Sequence, residues 1–239
     1  MADIALRSAA VTVDGPNGAV TILEPTTCTL AEQRIAVIGA NGSGKSTFAR
    51  LLNGLVRPTS GSVSVDGLDT VSDGAAVRRR VGFMFTDPDA QLVMPTVAED
   101  VALSLRRSKP ASKRRGQAKE RRPTAVLDIL DRYGLRHLAD VSVHSLSGGQ
   151  KQLLALAGVL ATDPAVLVAD EPTTLLDLRN TRRIADLLFA LGQQLVLVTH
   201  DLALAERCER GIVVDDARVV FDGPAAEAVE HYRRLATKP

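Results

Sequence analysis

The sequence predicts an α/β protein, a mainly parallel sheet flanked by helices, with antiparallel strands added near both ends of the chain. Three observations predict it. Short apolar runs recur and end on glycine or acid, as strands buried on both faces do. Segments with apolar residues at helical spacing separate them. A glycine-rich stretch, GANGSGKS from Gly39 to Ser46, joins one such run to one such helix.

The elements follow in order. Arg34 to Gly39 reads as a buried strand, and Phe48 to Asn53 as the helix after it, with Gly54 placed to end it. Val63 to Gly67 alternates and then turns, as an edge strand would. Val81 to Phe85 is a further strand. Pro123 to Tyr133 reads as a helix with Val126, Leu127 and Leu130 on one face, and Gln150 to Leu160 as a strongly apolar helix. Ala165 to Ala169 is a buried strand, Asn180 to Leu191 a helix, Leu195 to Thr199 a strand and Leu202 to Cys208 a helix. Ile212 to Val214 and Val219 to Phe221 form a terminal hairpin, and Ala225 to Leu235 leaves room for one helix.

Composition excludes several classes. With 239 residues, 45% apolar and 24% charged, the chain can bury one large domain, or a domain with a small subdomain, and is not disordered. The longest apolar run, Leu153 to Ala161, falls short of the roughly 20 residues that span a bilayer. No charged segment followed by an apolar stretch opens the chain, so no signal peptide is expected. Cys28 and Cys208 make neither a disulfide framework nor a metal-ligand spacing, and a reducing cytoplasm is the default. A net charge of +1, 3% aromatics and no Trp give little to hold nucleic acid. One local asymmetry stands out. Between Arg106 and Arg122 nine basic residues meet a single acid, Glu120. A solvated loop, a contact with lipid headgroups or a membrane partner, and a contact with nucleic acid all stay open for it.

Gly39 to Ser46 matches G-x-x-x-x-G-K-[ST] and lies after a strand and before a helix, as a P-loop must. Glycines let backbone N–H groups approach phosphate oxygens with no Cβ in the way, and the helix N-terminus adds partial positive charge. In this reading Gly39, Ala40, Asn41, Gly42, Ser43 and Gly44 cradle the phosphates of ATP. Lys45 reaches the β- and γ-phosphates, Ser46 offers its hydroxyl to Mg²⁺, and Thr47 bonds the α-phosphate side. Downstream, AVLVADE delivers Asp170 and Glu171 to the C-terminal end of a strand. Asp170 suits Mg²⁺ through water, and Glu171 suits orienting or deprotonating an attacking water. Leu146 to Gln150, LSGGQ, sets two glycines and a serine before a helix. It is a second anion-binding element, and one P-loop already cradles one nucleotide.

With that segment the chain resembles the ATPase subunit of ABC transporters, whose signature is LSGGQ, along essentially its whole length. The resemblance implies a RecA-like P-loop NTPase core with an antiparallel β subdomain, about 1–86 and 161–239, and a helical signature subdomain, about 87–160. It implies head-to-tail pairing of two ATPases, each ATP lying between one P-loop and the partner's signature, so that Ser147, Gly148, Gly149 and Gln150 act in trans. Asp177 sits where the D-loop aspartate belongs, and His200, in VTHD, matches the switch histidine that senses the γ-phosphate. Two positions depart from the family. Thr86 stands where the Q-loop glutamine approaches Mg²⁺, and, being shorter, would reach it through a water. No aromatic or histidine precedes Phe48, and by its place in the family pattern the adenine-stacking position is Val13, which leaves only apolar contact.

Phe85 to Val101, FTDPDAQLVMPTVAEDV, is similar to the same region of energy-coupling factor transporters, which import vitamins and metal ions. The threonine in FTDP, QLVMPT and the later VVFDGP resemble most the ATPase of the biotin systems, with cobalt or nickel systems and other vitamin importers as alternatives. The implied partners are a second ATPase subunit (a homodimer, with a heterodimer left open), a transmembrane T-component and a substrate-binding S-component, at the cytoplasmic face of the membrane. A soluble ABC ATPase acting on nucleic acid or ribosomes is the rival class. The single P-loop, single LSGGQ and absence of heptads speak against it.

Overall fold

The computed structural model describes residues 2–16, 18–108 and 122–237. Most of the basic segment 106–122 lies outside the described residues. By contact the chain divides into two compact units, Met1–Phe83 with Ala165–Glu171 and Leu188–Pro239, and Met84–Pro164 with Pro172–Leu187. The sequence resemblance places the helical part at about 87–160. The second unit additionally takes in Pro172–Leu187.

In the first unit a long antiparallel hairpin, β1 (Ile4–Gly15) and β2 (Gly18–Leu30), joins β4 (Ser60–Val65) and the two-residue β5 (Leu68–Asp69) in the order β2-β1-β4-β5. Val63 and Val65 are therefore interior to their sheet, not on its edge: β5 covers them with one short turn of chain. The hairpin escapes an alternation search because its register shifts between Leu6 and Ala9, and Ser8 takes a left-handed φ of 47°. Each bulge flips the inward face and erases the two-residue period.

The second sheet runs β10-β9-β3-β8-β7-β6, built from β3 (Arg34–Ile38), β6 (Val81–Met84), β7 (Val166–Asp170), β8 (Gln194–Val198), β9 (Arg210–Asp215) and β10 (Arg218–Pro224). The pairs β3–β8, β3–β9 and β7–β8 are parallel, and β9–β10 is the expected antiparallel hairpin. All five residues of β3, β7 and β8 are buried, which is why they read as continuous apolar runs. Arg34 of β3, Asp170 of β7 and Gln194 of β8 are the polar exceptions, and Arg34 acts at the sheet's end. Its guanidinium donates to the carbonyls of Gln33, Gln193, Phe189 and Leu191 and so fastens the chain end leading into β8. Helices α1 (Lys45–Leu51), α2 (Gly74–Arg80), α7 (Leu202–Ala205) and α8 (Ala225–Ala236) complete this unit. Helix α1 begins three residues before the expected Phe48, because Lys45 and Ser46 already belong to its first turn.

The second unit holds α3 (Val97–Ser108), α4 (Arg122–Arg132), α5 (Gly148–Leu160) and most of α6 (Leu178–Phe189). Thr96 and Glu99 start α3 as a reciprocal cap: each side chain accepts from the other residue's N–H, at 3.4 and 3.2 Å. Among the described residues no helix is long and apolar enough to cross a membrane.

Candidate functional site

The first unit brings five of the singled-out side chains together at the C-terminal ends of β3, β7 and β8. The chain leaves β3 at Gly39 and enters α1 at Gly44, whose φ is 104°. A Cβ there would meet the Ile22 carbonyl oxygen at 2.5 Å, so only glycine lets β2 pass so close. Lys45, 5% exposed, folds back and donates to the Ala40 carbonyl at 3.1 Å, with its ammonium 3.8 Å from Glu171 Oε1. Ser46 donates its hydroxyl to Asp170 Oδ1 at 2.9 Å. Arg50, four residues on and so on the same helix face, stands 3.5 Å from Asp170 Oδ2. Burial pushes the Asp170 carboxyl above the usual range, and the Ser46 hydrogen bond and the Arg50 charge offset it only in part.

Glu171 follows with a left-handed φ of 52° and donates its N–H to the Val198 carbonyl at 2.9 Å. A non-glycine residue held there costs about 1–3 kcal/mol, a strain that recurs at functional sites. The bend turns the Glu171 carboxylate out of β7 toward His200, whose Nδ1 lies 2.6 Å from Oε2. An ionised carboxylate only accepts, so Nδ1 carries the hydrogen and Nε2 is left for another partner. His200 is placed by the turn after β8: Thr199 Oγ1 accepts the Asp201 N–H at 3.0 Å, and Asp201 Oδ1 caps α7 through Ala203 and Leu204.

The loop fits a phosphate-bound cation by its chemistry. Ser46 and Asp170 are hard oxygen donors already side by side, the set that Mg²⁺ takes. The Ser43 hydroxyl is buried in the same loop with no hydrogen-bond partner, a polar atom that a phosphate oxygen would satisfy. Val13 lies on β1 opposite Val20 of β2, and both are about half exposed. Val20, two residues from the Ile22 that abuts Gly44, was not picked out from the sequence. Nor was Arg50, although its spacing from Ser46 could have found it.

The second unit gathers the remaining residues. Ser147 is the N-cap of α5, and it makes a capping box with Gln150: Gln150 Oε1 accepts the Ser147 N–H at 2.8 Å, and Ser147 Oγ accepts the Gln150 N–H at 3.4 Å. Gly149 packs on Asn180, where a Cβ would come within 2.5 Å of the amide carbon. Asn180 in turn donates from its N–H and side chain to Asp177 at 2.8 and 2.9 Å, which draws the Asp177 carboxyl below its usual range. Thr86 is half-buried in the same unit.

Comparison with known proteins identifies the family. The ABC transporter family model matches residues 25–174. The biotin transport ATP-binding protein BioM of Rhizobium etli is 45% identical over 219 residues, covering 92% of this chain and 94% of BioM. The energy-coupling factor transporter ATP-binding protein EcfA1 of Halalkalibacterium halodurans is 38% identical over 206 residues, covering 84% and 72%. An ATP-binding cassette solved as a dimer in a post-hydrolysis state, bound to ADP and Pi, superimposes with a TM-score of 0.81 at 29% identity, covering 93% of this chain and 98% of that one. The P-loop, the paired acids after β7 and the LSGGQ turn thus stand in a frame whose relatives bind ATP, and the chain belongs to the ABC transporter family as an ATP-hydrolysing subunit.

Proposed function

We propose that the chain drives uptake of a vitamin, biotin in the first place, as the ATPase of an energy-coupling factor importer. The observation that carries the ATPase chemistry is the convergence of Lys45, Ser46, Asp170, Glu171 and His200 at one end of the sheet. Similarity to BioM supports the biotin reading. In this reading two copies pair, and each ATP lies between one copy's P-loop and the other's Ser147 to Gln150, with Asp177 beside it. The pair rests on a transmembrane T-component at the cytoplasmic face, and a separate S-component holds the vitamin.

Each side chain then has a task. Backbone N–H groups of Gly39 to Thr47 hold the phosphates, and the Lys45 ammonium moves from the Ala40 carbonyl to the β- and γ-phosphates. Ser46 and Asp170 would hold Mg²⁺, which when bound would neutralise phosphate charge. Glu171 accepts a proton from, or orients, the attacking water. His200 keeps the Glu171 carboxylate aimed and offers Nε2 to the γ-phosphate. Val13 and Val20 give the base an apolar rest without stacking.

Lys45→Ala tests the nucleotide site. Charge-assisted hydrogen bonds of this kind contribute about 1.5–3 kcal/mol, so ATP affinity should drop about 10- to 150-fold in equilibrium titration. Equal affinity in wild type and variant would count against the P-loop reading.

Val93→Asp tests the membrane partner. Leu92 is 8% exposed and belongs to the core of its unit, but Val93 is 67% exposed on the same loop. Val93 is therefore not core, and in this reading the loop around it receives a T-component helix. The variant should fold, keep its ATPase activity and lose co-purification with the T-component, because a carboxylate buried unpaired in the joint is strongly disfavoured. Undisturbed complex formation would remove this loop from the interface.

A further inference from the structure

Within the second unit, the chain between β6 and α3 is tied to α5 and α3 at several points. Lys151 Nζ lies 2.7 Å from Asp89 Oδ1 and donates to Oδ2 at 2.8 Å. The Gln91 side chain accepts the Phe85 N–H at 3.3 Å and donates to the Ala155 carbonyl of α5 at 3.2 Å. Asp100 of α3, itself buried, accepts the N–H groups of Val93 and Met94 at 3.0 and 3.2 Å. The exposed Val93 is therefore carried on a braced loop, and the brace reaches α5 within its first turn.

Lys151 is poorly placed for the helix itself. It closes the first turn of α5, where the helix dipole disfavours a cation. The Asp89 side chain is 53% exposed against 16% for Lys151, and an ion pair open to solvent on its acidic side adds only modestly to folding. Helix stability and fold stability thus leave the pair unaccounted for. What the pair does fix is a separation: it holds the Val93 loop against the turn from Ser147 to Gln150, which Lys151 directly follows.

We propose that Asp89 and Lys151 are positioning residues that couple the loop bearing Val93 to the signature turn, and so set how strongly the membrane partner stimulates ATP hydrolysis. This rests on the transport reading above. With the pair intact, a displacement of the loop by the partner carries the start of α5 with it. With the pair broken, only the Gln91 bond to Ala155, a full turn further along α5, still joins the two, and the signature turn follows the loop less closely. Neither residue is assigned a contact with nucleotide.

The test uses the full chain alone and co-expressed with the transmembrane T-component of a biotin-type importer, in Asp89→Asn, Lys151→Met and the charge exchange Asp89→Lys with Lys151→Asp. Both single variants should keep the free subunit's ATPase activity within about twofold and its thermal midpoint within about 4 °C, as loss of a surface pair implies. Both should still co-purify with the T-component, yet its stimulation of ATPase activity should fall about tenfold. The exchange should recover most of it. Full stimulation in the single variants, an equal loss in the free subunit, or an exchange that recovers nothing would each overturn the proposal. If the wild-type chain itself is neither bound nor stimulated by the T-component, the transport reading falls and the pair's role with it. That failure shows in the wild type, whereas a failure confined to the pair shows only in the variants.

Discussion

Glu171→Gln should cut steady-state ATP hydrolysis by about 10²- to 10⁴-fold, the range set by removing a positioned general base, with ATP affinity held within about twofold. The amide is nearly isosteric, and its oxygen can still accept from His200 Nδ1, now 2.6 Å from the carboxylate. The left-handed backbone at this residue is unchanged by the substitution. What disappears is the negative charge that accepts a proton from water. Phosphate release and nucleotide titration on the same preparation separate the two effects. ATP should then also trap the closed dimer, visible as a shift in size-exclusion chromatography. Undiminished turnover would exclude Glu171 from the role.

Changes at Ser147 should abolish dimer closure while leaving ATP binding to the single subunit largely intact. In the shared-site reading, Ser147→Arg fills the space meant for the partner's γ-phosphate, but it also removes the N-cap of α5, worth about 1 kcal/mol. Ser147→Asp separates these effects. Aspartate caps a helix as well as serine does, so the thermal midpoint should hold, yet its charge would face the triphosphate across the dimer. Both variants should therefore fail to close with ATP, and only the arginine should cost stability. Mixing Ser147→Arg with Lys45→Ala chains adds a third readout, because one composite site then carries both lesions and the other neither. Full closure of either Ser147 homodimer would refute the shared site.

The parts of the site legible in the sequence are those whose chemistry admits few residues. Gly39 to Ser46 must be glycine-rich and end in Lys-Ser, and Asp170 and Glu171 must close an apolar strand; the structure places both sets beside one another. His200 needed that ordered context, since a lone histidine after a strand carries no signal of its own. Arg50 was passed over because an arginine in a helix is ordinarily a solvated face, and only the fold brings Asp170 within 3.5 Å. The inner bond of the LSGGQ turn was equally hidden. Ser-x-x-Gln is a capping pattern, but a phosphate-binding reading of the same serine takes its place. The β1–β2 hairpin was lost to its bulges, and α2, with seven residues, is too short for a helical period to declare itself.

The phosphate loop is not a local structure in folding terms. The Ala217 N–H donates to the Ser43 carbonyl at 3.0 Å, and the Ala217 carbonyl accepts the Glu24 N–H at 2.7 Å. The turn between β9 and β10, with Asp216 and Ala217 both left-handed, thus clasps the loop and β2 together. During synthesis these late residues leave the ribosome long after Gly39 to Ser46 have emerged. A nascent chain arrested before Ala217 carries the whole nucleotide motif without its clasp, and such long-range closure is slow to form. The clasp on the phosphate loop is thus completed only after nearly the whole chain has been made, by a turn that itself bears no side chain of the site.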